Sequence, residues 1–347
     1  MNIIVLAGGY SPEREVSLTS GSLIANALMQ NGHRVCLLDV YVGMPTLPEN
    51  PDTLFRTEGT YHHNVSEEIP DLEALKEATG NGDALIGKNV IELCRHADIA
   101  FLALHGAMGE NGQLQATLDS YGIPYTGSGY VGSLLAMDKD ISKKLLRAAG
   151  VRTPDWLAVD PKQTSAKEIL SHISLPLVVK PCSCGSSVGV SMADSENELE
   201  EALLAAAAWD DRVLVEQRIT GRELTVGILD GVTLPAVEII PKEGFYDYKN
   251  KYQGCTEEIC PAQIPVEAAS EASRMTLLGF DALRLYGYAR FDYLLDREGL
   301  LWCLEANTLP GMTPTSLLPQ AAAAVGINYN ALCEKLIEVS LKKGKQA

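Results

Sequence analysis

The sequence predicts a mixed fold, α/β at the amino terminus and α+β after it, divided among three domains. The chain has 347 residues, which is more than one ordinary hydrophobic core accommodates. Strand patterns alternate with helix patterns in the first third of the chain, and this alternation is typical of a parallel sheet. The last third carries several strands and a hairpin. We therefore place the domains at 1–126, 127–220 and 221–347.

The first domain combines three apolar strands, one long helix and a polar insertion. In a parallel sheet of this kind, ligands bind at the carboxyl ends of the strands. The glycine-rich segments that follow the first and last strands are therefore candidate binding loops. The predicted elements are strands at 2–6, 33–40 and 98–104, a helix at 16–30, and an insertion at 41–90 with one helix near 71–79.

The second and third domains contain strands that follow one another more closely. Helices are predicted between the groups of strands, and a long helix is predicted near the carboxyl terminus. The predicted elements are helices at 137–149, 196–208, 266–286 and 329–342, and strands at 156–159, 177–180, 188–192, 288–295 and 300–307.

The composition excludes several classes of protein. A hydrophobic content of 46% and a charged content of 21% fit a soluble globular protein. The net charge of −17 argues against nucleic acid or an anionic membrane as a partner. Residues 1–9 read as a first strand and not as a signal peptide. The eight cysteines form no C-x-x-C pair, which favours a reducing compartment, so we expect a cytoplasmic location.

The loop from Lys180 to Gly189 is a candidate phosphate site. An apolar strand pattern ends in Lys180, and a run of small residues, Cys182-Ser183-Cys184-Gly185-Ser186-Ser187, follows at once. Backbone N–H groups and hydroxyls of such a loop can surround phosphate oxygens, with the lysine as a point charge. The loop is not a P-loop, because there the lysine follows the glycines. A simple turn between two strands is the alternative.

The predicted hairpin near the carboxyl terminus indicates a cation site. If Glu298-Gly299 form a two-residue turn, Asp292 faces Glu305 and Arg290 faces Asn307, with all four side chains on one face. Facing carboxylates repel each other, whereas a divalent cation makes the pair favourable. Two carboxylates and one amide oxygen suit Mg²⁺. The alternative is a solvated strand face, in a register shifted by one residue.

With these motifs in place, the chain resembles the D-alanine–D-alanine ligases of the ATP-grasp superfamily. The resemblance runs nearly from end to end, apart from residues 41–90. It rests on Gly8-Gly9-Tyr10-Ser11-Pro12-Glu13-Arg14-Glu15-Val16-Ser17, on His105-Gly106 with Gly109-Glu110-Asn111-Gly112, on Met137-Asp138-Lys139, on Lys180-Pro181 with Gly185-Ser186-Ser187-Val188-Gly189, on residues 245–252, on Arg290-Phe291-Asp292, and on Glu305-Ala306-Asn307 with Pro310-Gly311-Met312 and Ser316.

The resemblance implies a ligase whose two α+β domains clamp ATP. Members of this family phosphorylate the carboxylate of one D-alanine with ATP, and the amine of a second D-alanine then attacks the acyl phosphate. Positioning and charge stabilisation are the protein's contribution to this chemistry. The resemblance further implies two Mg²⁺ ions (or Mn²⁺ in their place), a homodimer, and a role in peptidoglycan synthesis.

The resemblance also assigns roles to individual residues. Closure of the loop at 245–254 over the site would shield the acyl phosphate from water. The implied roles are nucleotide binding for Lys139, Lys180, Ser186, Glu216, Gln217, Ile219 and Glu223; metal binding for Asp292, Glu305 and Asn307; binding of the first substrate for Glu13 and His105; binding of the second for Lys251, Tyr252 and Ser316; oxyanion stabilisation for Arg290 and the Gly311 N–H; and a hydrogen-bonded link between Glu13, Ser186 and Tyr252.

Several alternatives stay open at this point. A D-alanine–D-serine or D-alanine–D-lactate ligase shares the chemistry; Tyr252 favours D-alanine over D-lactate, because family members that use lactate often carry histidine there. Another ATP-grasp carboxylate–amine ligase is less consistent with the motif around Glu13. An inactive nucleotide-binding protein is expected to have lost its metal ligands, and an oxidoreductase would need G-x-G-x-x-G.

The chain departs from the family pattern at two places, and single residues taken alone also allow other interpretations. Asn111 stands where aspartate is more common in the family, and the thiols of Cys182 and Cys184 could make activity sensitive to oxidation. Taken one at a time, Lys139, Glu216, Glu223 and His62-His63 read as surface residues, and Ser316 as a helix cap.

Overall fold

The computed structural model describes residues 1–64, 70–183, 185, 189–241 and 256–343. The strands within these ranges form three sheets, of which the first is parallel and the other two are antiparallel. The predicted combination of a parallel α/β part followed by α+β parts is therefore confirmed. None of the helices in the described ranges has the length and apolar character needed to cross a membrane.

The parallel sheet has the order β2-β1-β3, so the first strand of the chain lies at its centre. Residues 3–7 of β1 are all buried, as expected for the central strand of a parallel sheet. The strands are β1 (Asn2–Ala7), β2 (Arg34–Asp39) and β3 (Ile99–Leu102), and the helices of this part are α1 (Arg14–Gln30), α2 (Leu72–Thr79), α3 (Val90–Cys94), α4 (Ala107–Glu110) and α5 (Gln113–Ser120), with a 3₁₀ helix at Pro51–Leu54.

The insertion contains the predicted helix and is attached to the sheet. The Asp71 carboxylate accepts a hydrogen bond from the Ala74 N–H at 2.9 Å, which begins α2, and Gly80 ends it with φ of 65°. The Tyr61 hydroxyl donates to the Val35 carbonyl at 3.0 Å. His63 is not a free surface residue, because its Nε2 lies 2.6 Å from the Glu15 carboxylate on α1.

The helix predicted at 137–149 is observed as α7 (Lys139–Ala148), and a further helix, α6 (Tyr130–Met137), directly precedes it. They meet at Asp138, whose carboxylate accepts from the Ile141 N–H at 2.9 Å and so begins α7. This N-terminal cap places Lys139 in the first turn of α7. Both helices contribute to the core of the third sheet, through Ala136 and Leu146.

The second sheet has the order β4-β7-β5-β6. Along β5, Leu177 and Val179 pack beneath the helices, so Val178 and Lys180 point to the opposite face. The strand predicted at 188–192 is observed as β6, which begins later, at Ser191; residues 189 and 190 precede it, and residue 188 lies outside the described residues. The elements are β4 (Trp156–Val159), α8 (Ala166–Leu170), β5 (Leu177–Pro181), β6 (Ser191–Ala193), α9 (Glu196–Ala207) and β7 (Val213–Gln217).

The third sheet has the order β11-β10-β8-β12-β13, with β9 paired to β8. The helix predicted at 266–286 ends at Ala282 instead, two residues before Arg284 takes a left-handed φ of 55°. The elements are β8 (Gly221–Leu229), β9 (Val232–Thr233), β10 (Val237–Pro241), β11 (Thr256–Ile259), α10 (Val266–Ala282), β12 (Tyr288–Asp296) and β13 (Leu301–Asn307).

The hairpin of β12 and β13 has the predicted register at its functional end. Asp292 faces Glu305 and Arg290 faces Asn307. Nearer the turn the pairing shifts by one residue, because the turn has three residues and ends at Gly299 with φ of 81°. A bulge after Asp292 shifts the pairing back. The assumed two-residue turn is therefore wrong, and two opposite deviations cancel.

The last two helices, α11 (Leu317–Ala324) and α12 (Tyr329–Lys343), return to the first sheet. Leu318, Leu332 and Ile337 lie in the same buried cluster as strand β1. The His33 Nε2 lies 2.8 Å from the Glu334 carboxylate. The carboxyl-terminal helices thus pack against the amino-terminal sheet. The domain limits at 126 and 220 stay a prediction.

Gly279 on α10 is a position where the packing leaves no room for a side chain. A Cβ there would lie 2.6 Å from Phe291 and 2.9 Å from Leu146. We expect Gly279→Ala to lower the unfolding free energy by about 1–2 kcal/mol, because the overpacking outweighs the gain in helix propensity. Thermal unfolding measures this effect.

The control is Ser270→Ala on the exposed face of the same helix, which should leave the melting temperature nearly unchanged. Equal melting temperatures for the Gly279 and Ser270 variants would contradict the close packing.

Candidate active site

Two cavities meet at the hairpin. The first, of about 620 Å³, lies between the second and third sheets. The second, of about 460 Å³, lies between the third sheet and the first part of the chain. Gly185 lines both. The first cavity brings together Lys139, Lys180, Glu216, Gln217, Ile219, Glu223, Asp292 and Glu305, and the second brings together Glu13, His105, Arg290, Asn307, Gly311 and Ser316.

Neighbouring residue pairs of the hairpin line different cavities. Asp292 and Glu305 line the first cavity, whereas Arg290 and Asn307, two residues further along the strands, line the second. A ligand in one cavity can therefore approach a ligand in the other at this point of the hairpin.

Glu216 on β7 is not a surface acid, because it is only 3% exposed. Its two carboxylate oxygens bind different lysines, with Lys180 Nζ at 2.5 Å and Lys143 Nζ at 2.7 Å. Burial alone would raise the pKa of Glu216, but the two lysines more than offset it and hold the pKa below its usual range. Glu216 is therefore ionised.

The two lysines respond differently to this shared carboxylate. Burial lowers the pKa of Lys143 to about 8, although Glu216 acts in the opposite direction. Burial also acts to lower the pKa of Lys180, but Glu216 and Glu305 outweigh it and raise the pKa. Sequence reasoning missed Lys143; its spacing of four from Lys139 on a helix, which puts both on one face, is the signal that could have found it.

Asp292 is held by three neighbouring side chains. Arg290 donates to both of its oxygens at 2.9 Å, the Asn307 amide donates at 2.9 Å, and the Thr225 hydroxyl donates at 2.7 Å. Glu305 opposite it lies 3.4 Å from Lys139 Nζ. The cations compensate the facing carboxylates, whose repulsion would otherwise destabilise the strand pair.

These residues fit a magnesium site by the chemistry of their donor atoms. Within the described ranges, no three His, Cys, Asp or Glu side chains converge on a metal-sized site. The donors at the hairpin are instead two carboxylates, Asp292 and Glu305, and the amide of Asn307, all hard oxygen ligands of the kind that Mg²⁺ prefers. A set of this size leaves coordination positions for phosphate and water.

Glu13 lies buried at the entrance of α1, where it lines the second cavity. It occupies the N-cap position, yet its side chain makes no capping hydrogen bond to the helix. A simple capping role is therefore excluded. Its neighbour Arg14 instead binds Asp39 at 2.8 Å, at the end of β2.

His105 contributes a neutral imidazole to the same cavity. Burial lowers its pKa, and Arg290 adds to this against the opposing charge of Glu13. The ring bonds to the Leu309 backbone, and its Nε2 has no hydrogen-bond partner among the described residues. That buried nitrogen therefore has an unsatisfied hydrogen-bonding capacity.

Glu110, which sequence reasoning did not assign, also lines the second cavity. Its carboxyl accepts a hydrogen bond from the Gly106 N–H at 2.8 Å. Burial raises the pKa of Glu110 to about 8, and the Glu13 charge acts in the same direction. Glu110 is thus protonated near neutral pH. Its place in the segment Gly109-Glu110-Asn111-Gly112, beside His105, was the available signal.

Ser316 precedes α11 but makes no side-chain capping bond to it. Its hydroxyl accepts a hydrogen bond from the Thr313 N–H at 3.0 Å and lies 2.8 Å from the Thr313 hydroxyl. Ser316 therefore occupies the N-cap position, as the helix-cap interpretation expected, but its hydroxyl does not cap the helix. A Cβ on Gly311 would lie 3.0 Å from this hydroxyl, so glycine lets the backbone approach it.

Four predicted residues lie outside the described residues. They are Ser186, Lys251, Tyr252 and Cys184.

The prediction of a reactive thiol is wrong for Cys182. Cys182 is only 1% exposed, and burial raises its pKa to about 12. A buried thiol of this kind is poorly reactive, so the predicted sensitivity to oxidation does not apply to Cys182.

Both parts of the chain match models of one protein family. Residues 2–128 match the model described as D-ala D-ala ligase N-terminus, and residues 145–338 match the one described as D-ala D-ala ligase C-terminus. The chain belongs to the D-alanine–D-alanine ligase family. The family resemblance expected from the sequence motifs is confirmed.

Individual relatives of the family are similar over the whole chain. The D-alanine–D-alanine ligase of Pediococcus pentosaceus is 40% identical over 342 residues, 97% of each chain. That of Lacticaseibacillus casei is 38% identical and covers 99% of this chain and 96% of its own.

Solved ligase structures superpose over nearly the whole chain. A Bacillus anthracis D-alanine–D-alanine ligase complexed with ATP has a TM-score of 0.77 and 32% identity, and covers 100% of this chain and 99% of its own. The VanG D-Ala:D-Ser ligase of Enterococcus faecalis has a TM-score of 0.76 and 27% identity, with coverage of 98% and 99%.

The raised pKa of Glu110 predicts a change in the pH dependence of stability. The folded protein binds a proton at Glu110 up to about pH 8, whereas the unfolded chain releases it at an ordinary carboxyl pKa of about 4.3. The wild type therefore loses stability as the pH rises through this window. Glu110→Gln cannot lose a proton, so its melting temperature should fall less than that of the wild type between pH 5 and 8.5.

The matched control is Glu49→Gln, which changes an exposed carboxylate and should follow the wild-type curve. If the wild-type and Glu110→Gln curves are parallel, Glu110 does not hold its proton in the folded protein.

Proposed function

We propose that the protein joins two D-alanine molecules to D-alanyl-D-alanine, with conversion of ATP to ADP and phosphate. The observation that carries this proposal is the meeting of two cavities at one hairpin, where Asp292 and Glu305 line the first and Arg290 and Asn307 the second. Two adjoining sites suit transfer of a phosphoryl group from a nucleotide to an amino acid. The product serves peptidoglycan synthesis, and through it cell wall biogenesis and cell shape.

The first cavity suits ATP. Lys139 and Lys180 supply positive charge for the phosphates, and Glu223 lines the same cavity for the ribose. Glu216, Gln217 and Ile219 line the same cavity, and we assign them to adenine. Bound Mg²⁺ at Asp292, Glu305 and Asn307 would neutralise phosphate charge during transfer.

The second cavity suits two amino acids. The Glu13 carboxylate binds the ammonium of the first D-alanine, with His105 nearby. The carboxylate of this first D-alanine then lies toward Arg290. There it accepts the γ-phosphoryl group of ATP and becomes an acyl phosphate. Ser316 and Lys251 bind the carboxylate of the second D-alanine.

Bond formation requires the amine of the second D-alanine to attack the acyl carbon. The resulting tetrahedral oxyanion is stabilised by Arg290 and the Gly311 N–H. Phosphate leaves with the bonding electrons of its C–O bond, and the amine loses a proton through the link of Glu13, Ser186 and Tyr252. We further infer a homodimer and a cytoplasmic location, both of which stay predictions.

The direct test is phosphate release with ATP, Mg²⁺ and D-alanine. D-Alanine should stimulate release strongly and L-alanine should not, because, once the ammonium and carboxylate are bound, the methyl group of L-alanine would point where D-alanine has its α-hydrogen. Addition of D-serine or D-lactate at limiting D-alanine should form little mixed product, as judged by mass spectrometry. Absence of stimulation by D-alanine would sink the proposal, and a dominant mixed product would replace it by that of a D-serine or D-lactate ligase.

Asp292→Asn tests the metal assignment. Loss of one of two facing carboxylates should lower kcat by at least about a hundredfold, because the phosphoryl-transfer charge is no longer compensated. Glu298→Gln, at the exposed turn of the same hairpin, should retain full activity. A fully active Asp292→Asn enzyme would refute the assignment of this residue to the metal.

A further inference from the structure

Behind the residues that line the first cavity lies a buried cation that does not itself line it. The side chain of Lys143 is 1% exposed and is absent from the residues that line the cavity. Its Nζ lies 2.7 Å from one oxygen of Glu216, while Lys180 Nζ lies 2.5 Å from the other oxygen. Glu216 and Lys180 do line the cavity.

The position of Lys143 is fixed from two sides. Its ammonium lies 5.2 Å from the centre of the Trp156 ring, within the range of a cation–π contact. The Trp156 indole N–H in turn donates to Asp140 at 3.0 Å. The ammonium is therefore held between an aromatic face and the Glu216 carboxylate and has little freedom to leave.

Lys143 changes the net charge that the group of Lys143, Glu216 and Lys180 presents to the cavity. Glu216 carries one negative charge, and Lys143 and Lys180 carry one positive charge each, so the three groups sum to one positive charge. Without Lys143, the Glu216 carboxylate would cancel the charge of Lys180, and this pair would present no net charge to the phosphates of a nucleotide. A change of one charge has a large effect on electrostatic energy where water is excluded.

We propose that Lys143 is a positioning residue that holds the Glu216 carboxylate and leaves Lys180 with a net positive charge for the nucleotide phosphates. The inference rests on the proposed function, since it takes ATP as the ligand of the first cavity. Lys143 thus influences the charge of the wall from behind it, whereas Lys180 lines the cavity and faces the ligand.

The test compares binding of ATP, ADP, AMP and adenosine to the wild type and variants, by calorimetry without D-alanine so that no turnover occurs. Lys143→Met should weaken ATP binding by about tenfold and adenosine binding much less, with ADP and AMP between them. The readout is therefore the ratio of ATP to adenosine affinity. Lys143→Arg should retain most of this ratio, because it keeps the charge.

A double variant separates charge from packing. Lys143→Met with Glu216→Gln again leaves one positive charge, on Lys180, so the ratio of ATP to adenosine affinity should return close to the wild-type value even if both affinities fall. If Lys143→Met does not fold, Lys143→Gln, which keeps a hydrogen-bond donor for Glu216, is measured instead. The control is Lys144→Met, the next residue of the helix, whose side chain is mostly exposed and bound to Asp140; it should leave the ratio unchanged.

Two outcomes would overturn the inference. One is an equal loss of affinity for all four ligands in Lys143→Met, as a purely structural role would give. The other is a double variant whose ratio stays as low as that of Lys143→Met. A wild type with no preference for ATP over adenosine would instead contradict the nucleotide site, and with it the proposed function.

Discussion

The opposition of two carboxylates, Asp292 and Glu305, is the constraint on which the rest of the site depends. Facing carboxylates destabilise a strand pair unless nearby cations or donors compensate them. Arg290 and Asn307 compensate Asp292 from the same hairpin, and Lys139 compensates Glu305 from α7. A protein with only a structural use for the hairpin would gain nothing from this arrangement. The metal–nucleotide complex proposed for this site would gain a preformed anionic site surrounded by cations.

The second sheet and the first part of the chain place charged and polar side chains on two sides of this hairpin. The second sheet brings Lys180 and Glu216 to one side, on the face opposite its helices. The first part of the chain brings Glu13 and His105 to the other side. The carboxyl-terminal helices pack with strand β1 in one core, so the turn that carries Ser316 is tied to the same body as Glu13. Candidate binding residues that are distant in sequence are thus joined through one hydrophobic core.

The sequence was sufficient where a local pattern decides the outcome, and insufficient where charges meet across elements. Strand β1 and helix α2 follow from periodicity and caps, and the pairing of Asp292 with Glu305 was predicted correctly although the turn and bulge were not. The burial of Glu216 could not be predicted, because an isolated glutamate is usually exposed and its two lysines come from α7 and β5. Glu110 was missed for the same reason: its raised pKa arises from burial beside Glu13, which only the folded chain brings near.

The measurement that tests the central claim most directly is Mn²⁺ binding followed by electron paramagnetic resonance, with ADP present and Mn²⁺ in place of Mg²⁺. If the hairpin is the seat of the metal–nucleotide complex, the wild type binds Mn²⁺ in the presence of ADP. The double variant Asp292→Asn and Glu305→Gln should lose that binding while its fold is retained. Unchanged Mn²⁺ binding by the double variant would contradict the claim that these facing carboxylates exist to hold a cation.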